Sequence, residues 1–502
     1  MVLSAEQSVG SNNDLENQQL DEIIEYLDPK DPTHPQMWPT TRKIWITFML
    51  SFFNLIVTVT SSIFGSGQSM MAEELGISIE LSILGTSLFL VVRLIRAPRR
   101  WFLQKLTLKQ GYILGFLSFS PLSEHFGRKY PMLIGIALSS IFALMPALGK
   151  NAATIFIGRF FSGLFGVSPV AILGGIISDC WDAEYRGVAM ACCIALVFSG
   201  PTFGPIIGGF IANSHLGWRW TMWVIIIAGL ASAALGVFLF PETYPPVLLE
   251  KKLRRLQLQS ATPMSPVSQK GNIRISTLLL QFLGRPLRLF TTQPILVLLT
   301  IYQSFIYGVL FLFYQSYPIS FGEDRGWKGG LVSLPLIGVV IGVLIGTVGV
   351  FVFNETYFRH HCYSPAGEFI PESRLPLMIL GGSLIPAGMF WFAWTSNPHV
   401  PWPSQVCASL LIGCGMYLLF LQCFTYIVDC YTSVANSAMG VNGAMRSVFG
   451  AAFPLFARPM FHGLGVNWAM TVIAFISLAL VPVPICFWYL GARIRSWSSA
   501  KI

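Results

Sequence analysis

From residue 44 to residue 490 the chain returns again and again to apolar runs about twenty residues long. A run of ~20 residues crosses ~30 Å of hydrocarbon as an α-helix. Nothing in a bilayer core hydrogen-bonds an unpaired backbone group, so such runs fold as helices, not as loops or open strands. The runs are read at 44–64, 81–91 with 111–121, 131–149, 154–178, 187–211 and 220–240. They resume at 294–318, 330–353, 375–395, 405–428, 435–457 and 467–490. The predicted fold class is an all-α polytopic membrane protein. Two six-helix bundles, 42–240 and 294–491, flank a hydrophilic linker at 241–293, with polar tails at 1–41 and 492–502. Composition agrees: 54% of residues are hydrophobic and 11% charged, against ~25% charged in a soluble protein.

The net charge of +9 lies mainly between the runs. It therefore reads as a topology signal rather than a nucleic-acid footprint, and no nucleic-acid partner is expected. The linker carries Lys251, Lys252, Arg254, Arg255, Lys270, Arg274, Arg285 and Arg288, and the C-terminal tail carries Arg493, Arg495 and Lys501. Positive segments face the cytosol, so both termini are expected there. The first forty residues are polar and acidic, without the apolar core of a cleavable signal peptide. Nine cysteines without a C-x-x-C pair indicate neither a metal site nor a disulfide framework. H-E-x-x-H and G-x-S-x-G are absent, as is any paired intramembrane acid, so no enzyme is expected.

Several motifs sit on this frame. Gly200-Pro201-Thr202-Phe203-Gly204-Pro205-Ile206-Ile207-Gly208-Gly209 interrupts the fifth span with four glycines and two prolines. Small residues four apart let helix backbones touch. Ser123-Glu124-His125-Phe126-Gly127-Arg128-Lys129 follows the second span. Glu124 there can pair with a base and approach a helix N-terminus, joining the two halves. Arg159 and Gly163 form R-x-x-x-G in the fourth span. An arginine in a span is either functional or, near a helix end, snorkels to the interface. Gly204-Pro205 and Gly450 to Pro454 echo one another in spans 5 and 11.

Together these motifs resemble the major facilitator superfamily. The glycine-proline stretch resembles the antiporter signature of its drug:proton branch, and Glu124, Gly127, Arg128 and Lys129 resemble its loop 2–3 signature. Ser120 stands where that family usually has Gly. Asp31-Pro32-Thr33-His34-Pro35-Gln36-Met37-Trp38-Pro39, Pro241-Glu242-Thr243-Tyr244 and Pro371-Glu372-Ser373-Arg374-Leu375-Pro376 are similar to the fungal twelve-span drug:proton antiporters. The resemblance implies two rocking six-helix halves. It also implies export of small hydrophobic molecules (drugs or fungal secondary metabolites) from the plasma membrane, driven by a proton gradient without a cofactor. The protein is expected to act as a monomer, with a small-molecule substrate and the lipid bilayer as its partners. A polyamine exporter and a non-transporting sensor of the same fold are the alternatives. The first wants acidic cavity residues, which the spans lack.

A site between halves draws attention to polar groups inside the spans. The cavity candidates are Asn54, Tyr307, Tyr314, Gln315, Gln422 and Arg446. Arg446 lies mid-span and needs either a polar cavity or a partner. No Asp or Glu lies mid-span. Asp179 and Asp429, which close spans 4 and 10, are the proton-carrier candidates, and either can equally be a solvated end charge.

One segment fits badly. Residues 92–110 put four Arg, two Lys and a Pro into the second span, where each charge costs roughly 2.5–3.5 kcal/mol on insertion scales. Without them, Val91 joins Gly111 in one continuous apolar span. The segment reads as a retained intron, bounded by residues whose codons can match splice-site ends. The competing reading is an amphipathic insertion lying on the membrane surface.

Overall fold

The structure, a computed structural model, describes residues 34–77, 108–259, 288–365, 367 and 369–496. Most of the suspected insertion, and the first part of the predicted second span, lie outside the described residues.

The described helices follow the apolar runs. They are α1 (Thr40–Ser62), α2 (Leu108–Phe126), α3 (Lys129–Phe142), α4 (Ala152–Cys180), α5 (Ala183–Ala212) and α6 (Trp220–Leu239). After the linker come α7 (Pro294–Tyr317), α8 (Ile337–Phe353), α9 (Leu375–Thr395), α10 (Trp402–Cys430), α11 (Ala435–Ala452), α12 (Pro454–Ala479) and α13 (Pro482–Ser496). A further helix, Pro245–Gln259, begins the linker. Among the described residues the only strand-like pairing is one bridge, Tyr363 with Phe369.

Ten described stretches are long and apolar enough to cross a membrane. The last, Ala435–Gly491, holds 57 residues, which at ~1.5 Å per residue is ample for two crossings. Its break is Gly465, whose φ of 76° and ψ of 158° lie outside any helix. Before the break, Phe453 packs on Phe305 of α7. After it, Trp468 and Phe475 pack on Trp394 and Phe390 of α9. The eleventh and twelfth predicted spans are therefore the two arms of a hairpin.

Burial separates the helices into inner and outer sets. In their most apolar windows 78% of α4 and of α10 is buried, but only 39% of α6. Phe238 of α6 and Val348 of α8 stand exposed. Water would reject such faces, and lipid accepts them.

Close approach depends on small residues. Gly111 and Gly115 of α2 leave no room for a Cβ against the backbone of α4 around Leu164. Gly381 and Gly388 of α9 lie against Gly415 and Ile412 of α10 in the same way. Between the halves, α2 packs on α11, where Gly440 and Gly443 face Ser120 and Phe116, and α5 packs on α8 and α10. At one end Trp218 and Arg219 hold Glu74, the indole N–H at 2.7 Å, stapling the extension of α1 to the start of α6.

Candidate functional site

The short loop between α2 and α3 is bent at Gly127, whose φ of +90° favours glycine. A Cβ there would also lie 2.6 Å from Oε2 of Glu242. The bend presents consecutive amides to that carboxylate. Arg128 N–H donates to Glu242 Oε1 at 2.8 Å and Lys129 N–H to Oε2 at 3.2 Å. Lys129 Nζ reaches the Val237 carbonyl at 2.8 Å. The Arg128 guanidinium turns inward, donating to Asp179 Oδ2 at 3.0 Å and to Ser123 Oγ at 3.1 Å. Burial alone would lower the pKa of Arg128, but the carboxylates of Asp179 and Glu124 outweigh it and hold the pKa above its usual value.

From this loop Glu124 crosses to the other half. Its Oε1 accepts from Ser437 N at 3.1 Å and its Oε2 from Ser437 Oγ at 3.0 Å. Ser437 lies in the first turn of α11, where free amides and the helix dipole favour an anion. Asn436 beside it donates to Ser123 Oγ at 2.9 Å and accepts from Gly175 N at 2.6 Å.

The second half repeats the arrangement. Arg374, just before α9, donates through Nε to Asp429 Oδ2 at 2.5 Å. It crosses to the first turn of α5 by donating to the Ala183 carbonyl at 3.0 Å. Asp429 also accepts from Arg186 of α5 at 2.8 Å, and its side chain has no exposed surface. Each half thus has an arginine near a loop, an aspartate closing a helix, and a reach into the other half's helix start. Asp179 and Asp429 are both ion-paired in this arrangement. Arg186, Ser437 and Asn436 were not singled out by sequence. Their partners lie 243 to 313 residues away, and no local pattern marks such pairs.

The glycine-proline stretch lies in an unbroken α5. Gly200 and Gly204 press on Thr58 and Ser62 of α1, and Gly208 on Ile63 and Ser66. Gly209 instead meets Gly330 ahead of α8, with a Cβ position 3.1 Å from its Cα. Ser66 Oγ donates to the Pro205 carbonyl at 3.1 Å. The seam is therefore mainly one between α5 and α1 within a half. Pro201 and Pro205 face away from it, into the cavity between the halves.

That cavity comprises two adjoining spaces sharing Ser61, Pro201, Phe311 and Tyr314. The inner, of ≈ 600 Å³ counting solvent at its mouth, is walled by Tyr112, Phe116, Phe198, Tyr307 and Arg446 among others. The outer, of ≈ 900 Å³ on the same measure, runs past Gln68, Gln315 and Pro318 at the opposite end from the Glu124–Ser437 contact. Tyr314 spans the halves, its hydroxyl 3.2 Å from Thr202 Oγ1 of α5.

Of the cavity candidates, Tyr307, Tyr314, Gln315 and Arg446 line these spaces. Asn54 and Gln422 do not line them. Asn54 is fully buried and donates to its own helix at the Leu50 carbonyl, 2.8 Å away. Gln422 is buried within α10, where its Oε1 lies 3.5 Å from Thr425 Oγ1. Arg159 does not snorkel. It is 1% exposed, donates to the Thr60 carbonyl at 3.2 Å and stacks on Phe64 at 4.4 Å. Gly163, one turn on, meets Gly111 of α2.

Known proteins supply an independent comparison. The Major Facilitator Superfamily profile matches residues 44–454. The MFS-type transporter oryN of Aspergillus oryzae is 43% identical over 476 residues, covering 95% of this chain and 90% of that protein. The citrinin biosynthesis cluster MFS transporter mrr1 of Monascus ruber is 38% identical, with 95% and 92% covered. The ascochitine biosynthesis cluster MFS transporter of Didymella fabae is 38% identical, with 95% and 89% covered. Among solved structures, the proton:xylose symporter XylE matches with a TM-score of 0.63 and 15% identity, over 90% of this chain and 96% of that one. Paired helical halves, a cavity between them, a profile match along most of the chain and full-length transporter relatives lead to one conclusion: the chain is a membrane transporter belonging to the Major Facilitator Superfamily.

Proposed function

We propose that the chain is a proton-coupled exporter of small hydrophobic organic molecules, of the kind made by fungal secondary metabolism or met as drugs. It would work as a monomer in the plasma membrane with both termini in the cytosol. The observation that carries this reading is the aromatic-walled cavity between the halves. It runs toward one end of the molecule and stops short of the other, where Glu124 and Arg374 cross between halves. With the positive segments inside, the closed end is cytosolic and the arrangement is outward-facing. Rocking the halves would part those contacts and open the cavity inward. Relatives encoded with citrinin and ascochitine biosynthesis support the substrate class. The one charge lining the described cavity is positive, which argues against polyamine export.

Asp179 and Asp429 remain the proton-carrier candidates; before taking a proton Asp179 would have to leave one arginine and Asp429 two. The test is energised efflux of a dye and drug panel from a yeast stripped of its own pumps. The full chain and a chain lacking residues 92–110 are compared. Protonophore-sensitive export by either supports the reading, and export by the shortened chain alone supports the retained intron. Uptake in place of export, or export indifferent to the proton gradient, would overturn it.

A further inference from the structure

Arg446 is 5% exposed and is the only charged residue among those lining the two spaces. It makes no hydrogen bond and no ion pair with any described residue, and its Nε is buried without a partner. Its company is aromatic: Phe424 at 4.5 Å, Tyr307 at 5.4 Å, Phe116 at 5.9 Å and Phe420 at 6.0 Å from the guanidinium carbon. Rings hold a cation by their quadrupoles but leave its charge in place. The other buried arginines among the described residues are handled differently. Arg128, Arg186 and Arg374 each have a carboxylate, and Arg159 at least has a carbonyl.

The hydroxyls of Ser447 and Thr58, which line the same space and donate to the Gly443 and Asn54 carbonyls at 2.9 and 2.7 Å, are uncharged and supply no counter-charge. A buried charge in an apolar setting calls for a counter-charge. Guanidinium is suited to a planar anion, which it can meet with two parallel N–H donors.

Resting on the export reading above, we propose that the transported molecule is a flat aromatic anion, a carboxylate or enolate, whose charge is met by Arg446 while its rings lie against the tyrosine and phenylalanine walls. Of the four rings around Arg446, Tyr307 and Phe116 line the inner space, one from each half, so the bound molecule touches both. Arg446 is then a specificity-determining residue: it selects by charge, and the surrounding rings select by shape.

Two xanthene dyes of similar size separate the possibilities. Fluorescein carries a free carboxylate, and rhodamine 6G is an esterified cation. Uptake is measured in inside-out vesicles from a yeast lacking its own pumps. The full chain, or the chain without residues 92–110 if only that one reaches the membrane, is expected to move fluorescein. 1-Naphthoate should inhibit at least tenfold better than its methyl ester. Arg446→Lys should keep part of the fluorescein flux. Arg446→Gln should lose it at least tenfold.

Transport of rhodamine 6G without fluorescein by the unaltered protein overturns the anion assignment and leaves export standing. Equal inhibition by the acid and its ester does the same. Transport of neither dye, and of no compound in a neutral drug panel, overturns export and the anion assignment together. The ester comparison needs no variant, so misfolding of an Arg446 substitution leaves the proposal exposed to test.

Discussion

Asp429 and Asp179 occupy matching places, yet they carry unequal burdens. Asp429 has no exposed side-chain surface and meets two arginines, one from each half. Asp179 meets one arginine and keeps 12% of its side chain exposed. Removing one partner of a buried pair costs about 3–5 kcal/mol, because the remaining charge stays buried. Asp429→Asn is therefore expected to lower the thermal unfolding midpoint of the purified protein in detergent more than Asp179→Asn does. Equal midpoints for the two variants would show that the second arginine adds nothing. Individual residues were unevenly legible in the sequence. Arg446 stood out because a mid-span arginine has few possible surroundings. Asn54 and Gln422 were less legible, because a buried amide can bond within its own helix, and sequence cannot tell that from facing a cavity.

Helices can be judged by which face meets which neighbour. α5 turns Gly200, Gly204 and Gly208 to α1 and its extension, and Pro201 and Pro205 to the cavity. A methyl at Gly204 would collide with Ser62 Oγ, which explains why nothing larger than glycine fits that face. We expect Gly204→Ala to reduce folded yield and transport, and Ser62→Gly to restore part of both when combined with it. A double-mutant cycle measures this, with a coupling of about 0.5–3 kcal/mol if the two sites touch. No recovery in the double variant would mean that the backbone at Ile63, not the Ser62 side chain, sets the limit. The spacing of small residues announced a close helix contact. It could not name the partner, because glycine spacing describes one surface and is silent about the other. Span positions were more legible, since a minimum apolar length follows from bilayer thickness.

At the scale of the whole molecule the two halves meet through a repeated device, with Glu124 reaching the start of α11 and Arg374 the start of α5. Parting the halves leaves Asp429 still paired with Arg374 and Asp179 with Arg128, since both pairs lie within a half. The contacts that exchange protein for water are those across the halves, among them Arg186 with Asp429, Glu124 with Ser437, Asn436 with Ser123 and Gly175, and Arg374 with the Ala183 carbonyl. Cysteines placed at 124 and 437 and joined by a short bifunctional thiol reagent are expected to stop transport, and a cleavable reagent to restore it on reduction. Continued transport by the joined protein would show that this end need not open.

The unneutralised guanidinium of Arg446 also has an electrical consequence. In an alternating-access cycle the field falls across whichever side of the cavity is sealed. A fixed charge therefore crosses the field even though its atoms hardly move. One elementary charge is worth ~2.3 kcal/mol per 100 mV. With the cavity empty, an inside-negative potential draws the positive site toward the cytosol, which in the proposed exporter favours the return of the carrier. With an anion bound the site is electrically silent, so voltage would act on the return stroke rather than on the step that carries the cargo.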